Sequence, residues 1–90
     1  MEKATKIANV LSKYLPEGTE DYVTSLFLSY PVSFKIVRPR KTKQGDFRTP
    51  LPGSKPQITI NGNLNAFAFL ITTIHEFAHL KTWMEYNNRV

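Results

Sequence analysis

The stretch LNAFAFLITTIHEFAHLKTW, Leu64 to Trp83, decides the fold. Phe67, Phe69, Leu70, Ile71, Ile74, Phe77, Ala78 and Leu80 leave almost no side of a 3.6-residue helix polar. Asn63 or Asn65 stands where an N-cap is needed, and the spacing predicts a helix running to about Tyr86, roughly 30 Å or more at 1.5 Å per residue. A helix apolar almost all the way round belongs at the centre of its domain, with Phe67, Phe69 and Phe77 in the core and Trp83 packing the helix end. Asn65, Thr72, Thr73, His75, Glu76 and His79 interrupt the run and are costly in lipid, so no membrane span is expected.

Upstream of this helix, Gln57-Ile58-Thr59-Ile60 reads as a strand closed by Asn61-Gly62, and Thr49 to Pro56, with three prolines and a glycine, as an ordered irregular loop. Arg38 to Arg48 is basic and polar around a Gly45-Asp46 step, which suits a turn or an exposed hairpin. Val32, Phe34 and Ile36 alternate with polar neighbours, the period of a half-buried strand. Before them, Thr19 is placed to cap a short helix carrying Tyr22, Val23, Leu26, Phe27 and Tyr30 on its buried face. Ile7, Val10, Leu11, Tyr14 and Leu15 form the stripe of a first helix from Lys3 to Leu15, stopped by Pro16 and Gly18. The fold class is therefore α+β: N-terminal helices, a small antiparallel sheet or hairpin, and a long central helix. At 90 residues the chain is one domain, 1–90, with a thin core.

The chain has no cysteine, which excludes disulfides and cysteine-ligated metal and fits a reducing compartment. Lysines break up the N-terminal MEKATKIANVLSKYLP, so it is no signal peptide, and a cytoplasmic protein is expected. Twelve Lys and Arg against seven Asp and Glu give a formal charge of +5, which favours polyanionic partners.

Both histidines of the chain lie in His75-Glu76-Phe77-Ala78-His79, an HExxH sequence inside a predicted helix. Four residues advance a helix about 40° past one turn, so both imidazoles leave from one face and can grip one metal ion. Glu76, offset by about 100°, can lie beside the metal and act as general base and acid on an attacking water. Zn2+ suits two imidazoles, although histidine pairs also take nickel, cobalt and copper. A metal-free pair of core histidines is the alternative, and each buried polar group left unpartnered would then cost about 1–3 kcal/mol.

In chain order, Lys41-Thr42-Lys43-Gln44-Gly45-Asp46-Phe47-Arg48, Ile58-Thr59-Ile60-Asn61 and Thr73-Ile74-His75-Glu76-Phe77-Ala78-His79 resemble the SprT-like zinc metalloprotease domains. Members of that family show a glycine-aromatic-arginine step, an I-x-I/L-N strand and L-x-H-E-x-x-H in this order. The resemblance is most specific over residues 40–83. It implies a zincin-like fold, zinc held by His75 and His79, Glu76 as the catalytic residue, protein or peptide substrates, and a link to DNA. It also implies a third ligand, a histidine downstream of the helix. The chain has no third histidine, and Glu85 and Tyr86 lie about 9 and 10 Å along the axis from His79. The chain is accordingly expected to be the N-terminal part of a longer metalloprotease domain.

Lys35, Arg38, Arg40, Lys41, Lys43 and Arg48 put half of the basic residues into fourteen positions. Arg38, Arg40, Lys41, Lys43 and Arg48 are candidate phosphate contacts, with Phe47 available to stack on an unpaired base. The same charges would also serve as a solvated turn that protects a sheet edge. Asn61 suits a turn, or an edge to which an extended substrate adds as a strand. The reading from a different class is a non-catalytic DNA-binding or scaffold module that keeps the helix without a working site.

Overall fold

The computed structural model describes residues 2–87 and has an α+β architecture of three helices and one three-stranded sheet. Helix α1 is Glu2–Leu11 and α2 is Glu20–Ser29. Strands β1 (Ser33–Val37), β2 (Gly45–Arg48) and β3 (Gln57–Asn61) come next, and α3 (Ala66–Asn87) closes the described chain. At 22 residues α3 is about 33 Å long. No helix among the described residues is long and apolar enough to cross a membrane.

The sheet order is β1-β3-β2, with β3 parallel to β1 and antiparallel to β2. It is thus mixed, whereas an antiparallel sheet was expected, because the chain crosses from β1 past β3 to its far side, lays down β2 and returns. Within Arg38 to Arg48, expected as a turn or an exposed hairpin, Gly45–Arg48 is a strand of the sheet: Asp46 sits opposite Thr59, and Phe47 opposite Ile58. Asn61 lies in the central strand, paired with Val37 of β1, so it offers no edge for an added strand.

The core forms where α3 crosses the inner face of the sheet. Ile58 and Ile60 from β3 meet Phe69, Phe77 and Leu80 from α3, with Leu11, Leu15, Val23 and Phe27 from the helical layer. Phe27 ties the layers together, its ring centroid 4.4 Å from Phe34 and 4.6 Å from Phe77. The buried Thr73 hydroxyl donates to the Phe69 carbonyl one turn back, so this polar group on the core face is satisfied within its own helix. Asn65 is the cap: its Oδ1 accepts from the Ala68 amide at 2.9 Å.

Several local expectations are corrected by packing. Helix α1 stops at Leu11, and the chain to Leu15 tightens into turns in which Tyr14 N–H reaches Leu11 O three residues back. That winding still buries Leu11 and Leu15 but leaves Val10 exposed. Thr19 occupies the N-cap position of α2, yet its hydroxyl donates backwards to Pro16 O and caps nothing. Tyr22 is exposed. The long helix is also less central than its composition implies. Phe67 is 69% and Ile71 67% exposed, and Ile74 is exposed beside them, because only one side of α3 meets the sheet.

Gly45 sets how close helix and sheet come. A Cβ there would lie 2.6 Å from Thr72 Cγ2, 3.1 Å from Ile60 Cδ1 and 3.2 Å from the Thr59 carbonyl. The threonine methyl can rotate away, but the backbone oxygen cannot. Gly45→Ala is expected to destabilise by about 1–3 kcal/mol, lowering Tm by roughly 4 °C or more in a domain of this size. Leu51→Ala, at a side chain 77% exposed, is the control and should stay within about 0.5 kcal/mol of the parent. Thermal unfolding of the two variants checks both values.

Candidate metal centre

His75 and His79 stand one turn apart on the exposed side of α3. Their Nε2 atoms are 3.0 Å apart, with the rings perpendicular at 89° and their centroids 4.6 Å apart. Two nitrogens each about 2.0–2.1 Å from one tetrahedral zinc would be separated by about 3.3 Å. The pair therefore needs to open by only a few tenths of an ångström to hold the ion, and exposure leaves it accessible. Imidazole nitrogens are donors of the kind zinc takes, and in this respect the residues fit the group. Among the described residues no group of three or more His, Cys, Asp or Glu gathers around a common point. Asp46, Glu17 and Glu20 do not join the pair.

Glu76 leaves the helix on the side turned toward the sheet and is buried, 7% exposed. With His75 it lines a cavity of about 400 Å³ whose opposite wall is Thr42, Lys43, Gln44 and Gly45, with Ile71 and Thr72 as the floor. Helix and wall are joined directly, since the Thr72 hydroxyl reaches Gln44 Oε1 at 3.3 Å. The cleft thus brings the Glu76 carboxylate and the His75 imidazole against the 42–45 wall, while His79 does not line it. Strand β2 pairs with β3 on one side, and its other side is a sheet edge.

The wall is held by Asn61, a role that sequence reasoning missed. Its Nδ2 donates to the Lys43 carbonyl at 2.8 Å and its backbone amide to the Gln44 carbonyl at 2.8 Å, while its Oδ1 accepts from Arg40 Nε at 2.9 Å. One buried side chain thereby fixes residues 40–44 against the end of β3. The sequence marks this position by an amide directly after Ile58-Thr59-Ile60, where a strand would otherwise end, and by its place at the end of the I-x-I-N stretch, but neither says what the amide holds.

The basic segment divides into two groups. Arg38, Lys41, Lys43 and Arg48 are exposed. Arg40 is turned inward: besides its bond to Asn61, a terminal nitrogen donates to Thr59 Oγ1 at 3.2 Å, and the other is buried without a partner. It braces the sheet and is not presented to a phosphate. Phe47 faces α3, its ring centroid 6.3 Å from that of Trp83, so it is packed rather than free to stack on a base. Lys43 and Arg48 both engage Asp46, at 3.4 and 3.0 Å. Burial pushes the Asp46 carboxyl up, but hydrogen bonds from Arg48 and Lys43, together with their charges, outweigh it and leave its pKa below the ordinary value.

Compared with protein-family models, with curated proteins and with solved structures, the chain matches none.

Two outcomes are expected from this geometry. Asn61→Ala strips the acceptor from Arg40 and the donor from Lys43 O, and denaturant unfolding should show a loss of about 1–3 kcal/mol. A carboxyl whose folded pKa is lowered stabilises the fold above its ordinary range, and that contribution is lost as pH falls through the lowered value. The stability advantage of the parent over Asp46→Asn should thus be constant near neutrality and fade below about pH 4, as read from unfolding midpoints across pH.

Proposed function

We propose that the chain carries the zinc-binding helix and the substrate-side sheet of a SprT-like, zincin-type metallopeptidase that hydrolyses peptide bonds. The observation that supports this most is the convergence of His75 and His79 Nε2 to 3.0 Å, with Glu76 buried in the wall of a cavity that His75 also lines. In this reading His75 and His79 hold the metal, and a third donor comes from outside residues 2–87. Bound zinc supplies Lewis-acid polarisation of the scissile carbonyl and lowers the pKa of water.

The remaining work falls to the chain's own side chains. The Glu76 carboxylate takes the proton of the attacking water and hands it to the leaving amine. Burial beside Thr72 and the 42–45 wall limits the water around that carboxylate. An extended substrate is oriented by pairing with the outer edge of β2, whose first residue, Gly45, lines the cavity. The exposed Arg38, Lys41, Lys43 and Arg48 supply positive charge that would attract DNA and bring protein substrates attached to it. The competing reading, a non-catalytic DNA-binding or scaffold module, draws on the same exposed charges and gives Glu76 no task.

Calorimetric zinc titration and a cleavage assay on an unfolded polypeptide, both run on a version extended at the C-terminus by about 30 residues to take in the third donor, test the proposal together. One-to-one zinc binding is expected, lost in His75→Ala and in His79→Ala. Glu76→Gln should keep the metal and lower cleavage by roughly 10²–10⁴-fold. Unchanged zinc binding in a variant lacking both histidines would overturn the metal site, and unchanged cleavage by Glu76→Gln would overturn the role of the carboxylate.

A further inference from the structure

The sheet has a second edge, on β1, which lies across β3 from β2 and from the histidine pair, so a ligand at this edge is independent of the zinc reading. The Ser33 amide donates to the Pro56 carbonyl at 2.8 Å, and the Val37 carbonyl accepts from the Gly62 amide at 2.9 Å. Ser33 and Val37 therefore turn their backbone groups toward β3. Alternation along a strand then turns the amides and carbonyls of Phe34 and Ile36 the other way, to an edge where no strand pairs among the described residues. Such a row of unpaired donors and acceptors is a template for another extended segment.

Beside this edge lies an apolar cavity of about 640 Å³, lined among others by Val10, Leu28, Val32 and Phe34, with Lys55 at its margin. Val10 is 46% and Leu28 48% exposed, so the cavity presents apolar surface to solvent. The one charged residue that lines the cavity is a cation, Lys55. Lys35 and Arg38 flank the edge and Lys55 the cavity, and none of them takes part in the ion pairs of Asp46 with Lys43 and Arg48. The acids of α2, Glu20 and Asp21, are in its first turn, at the opposite end of the helix from Leu28.

We infer that the outer edge of β1 and the neighbouring cavity dock an extended peptide segment of a partner protein, one that alternates apolar and acidic residues and adds to the sheet as a fourth strand. Backbone pairing with Phe34 and Ile36 supplies the alignment. Apolar side chains of the segment enter the cavity, and its acids face Lys35, Arg38 and Lys55. A second copy of this chain is disfavoured as occupant, because pairing β1 with itself would set these cations against their own copies.

Selection of phage-displayed random decapeptides on the protein, followed by amide NMR titration with a synthesised winner, tests the inference. Enriched sequences should alternate apolar and acidic residues, shift the amides of Phe34 and Ile36, and slow their hydrogen exchange. Lys35→Glu combined with Lys55→Glu, both at exposed side chains, should weaken binding at least tenfold. Ile36→Pro removes an outward N–H without touching the bonds to β3, a position where an edge strand tolerates proline, and should also abolish binding. If that variant does not fold, the charge reversals decide. No enrichment, a basic consensus, or shifts confined to Phe67 and Ile71 of α3 would overturn the inference. So would a concentration-dependent dimer in sedimentation without peptide, with Phe34 and Ile36 protected, since the occupant would then be a second copy.

Discussion

Helix α3 rests on β2 at Gly45, where there is no room for a side chain between Thr72, Ile60 and the Thr59 carbonyl. Everything on the inner face takes its spacing from that approach. It lets the Thr72 hydroxyl reach Gln44, presses Ile58 and Ile60 against Phe69, Phe77 and Leu80, and makes residues 42–45 the wall facing His75 and Glu76. In a chain this short the core is thin, so a helix held away from the sheet would lose much of the apolar burial that stabilises the fold.

On the sheet's other face the ordering comes from polar groups. Arg40 commits two of its donors to the neutral oxygens of Asn61 and Thr59, in a part-buried setting where hydrogen bonds to a charged group contribute about 1.5–3 kcal/mol each. Lys43 and Arg48 share Asp46 with their own side chains well exposed, and exposed pairs of that kind contribute about 0–1 kcal/mol. Of the basic residues between 38 and 48, Arg40 is thus the one whose position the fold sets most firmly. Arg38, Lys41, Lys43 and Arg48 stay exposed.

How much was legible in the sequence depends on the range of the forces involved. The extent of α3, its cap at Asn65, the Ile58-Thr59-Ile60 strand and the irregular 49–56 loop all come from local patterns, and they stand in the structure. Strand β2 was not legible, because Gly-Asp-Phe-Arg opens with two residues that strands disfavour and becomes a strand only by pairing with β3. The parallel register of β1 with β3 was hidden for the same reason. Phe67 and Ile71 show the limit of periodicity, which counts apolar positions around a helix but cannot say how many sides have a neighbour.

By itself the sequence determined that His75 and His79 share one face of a helix with Glu76 about 100° round from the first. Helix geometry fixes residues four apart whatever the rest of the chain does. Tertiary structure decided what that face looks onto: which loop walls the cleft, that Arg40 braces the sheet through Asn61, that Phe47 packs on Trp83, and that β1 and β2 are left as the two edges. These relations join residues some 18 to 36 positions apart. They exist only once loops have closed, and loop closure depends on the packing of the whole chain, not on local spacing.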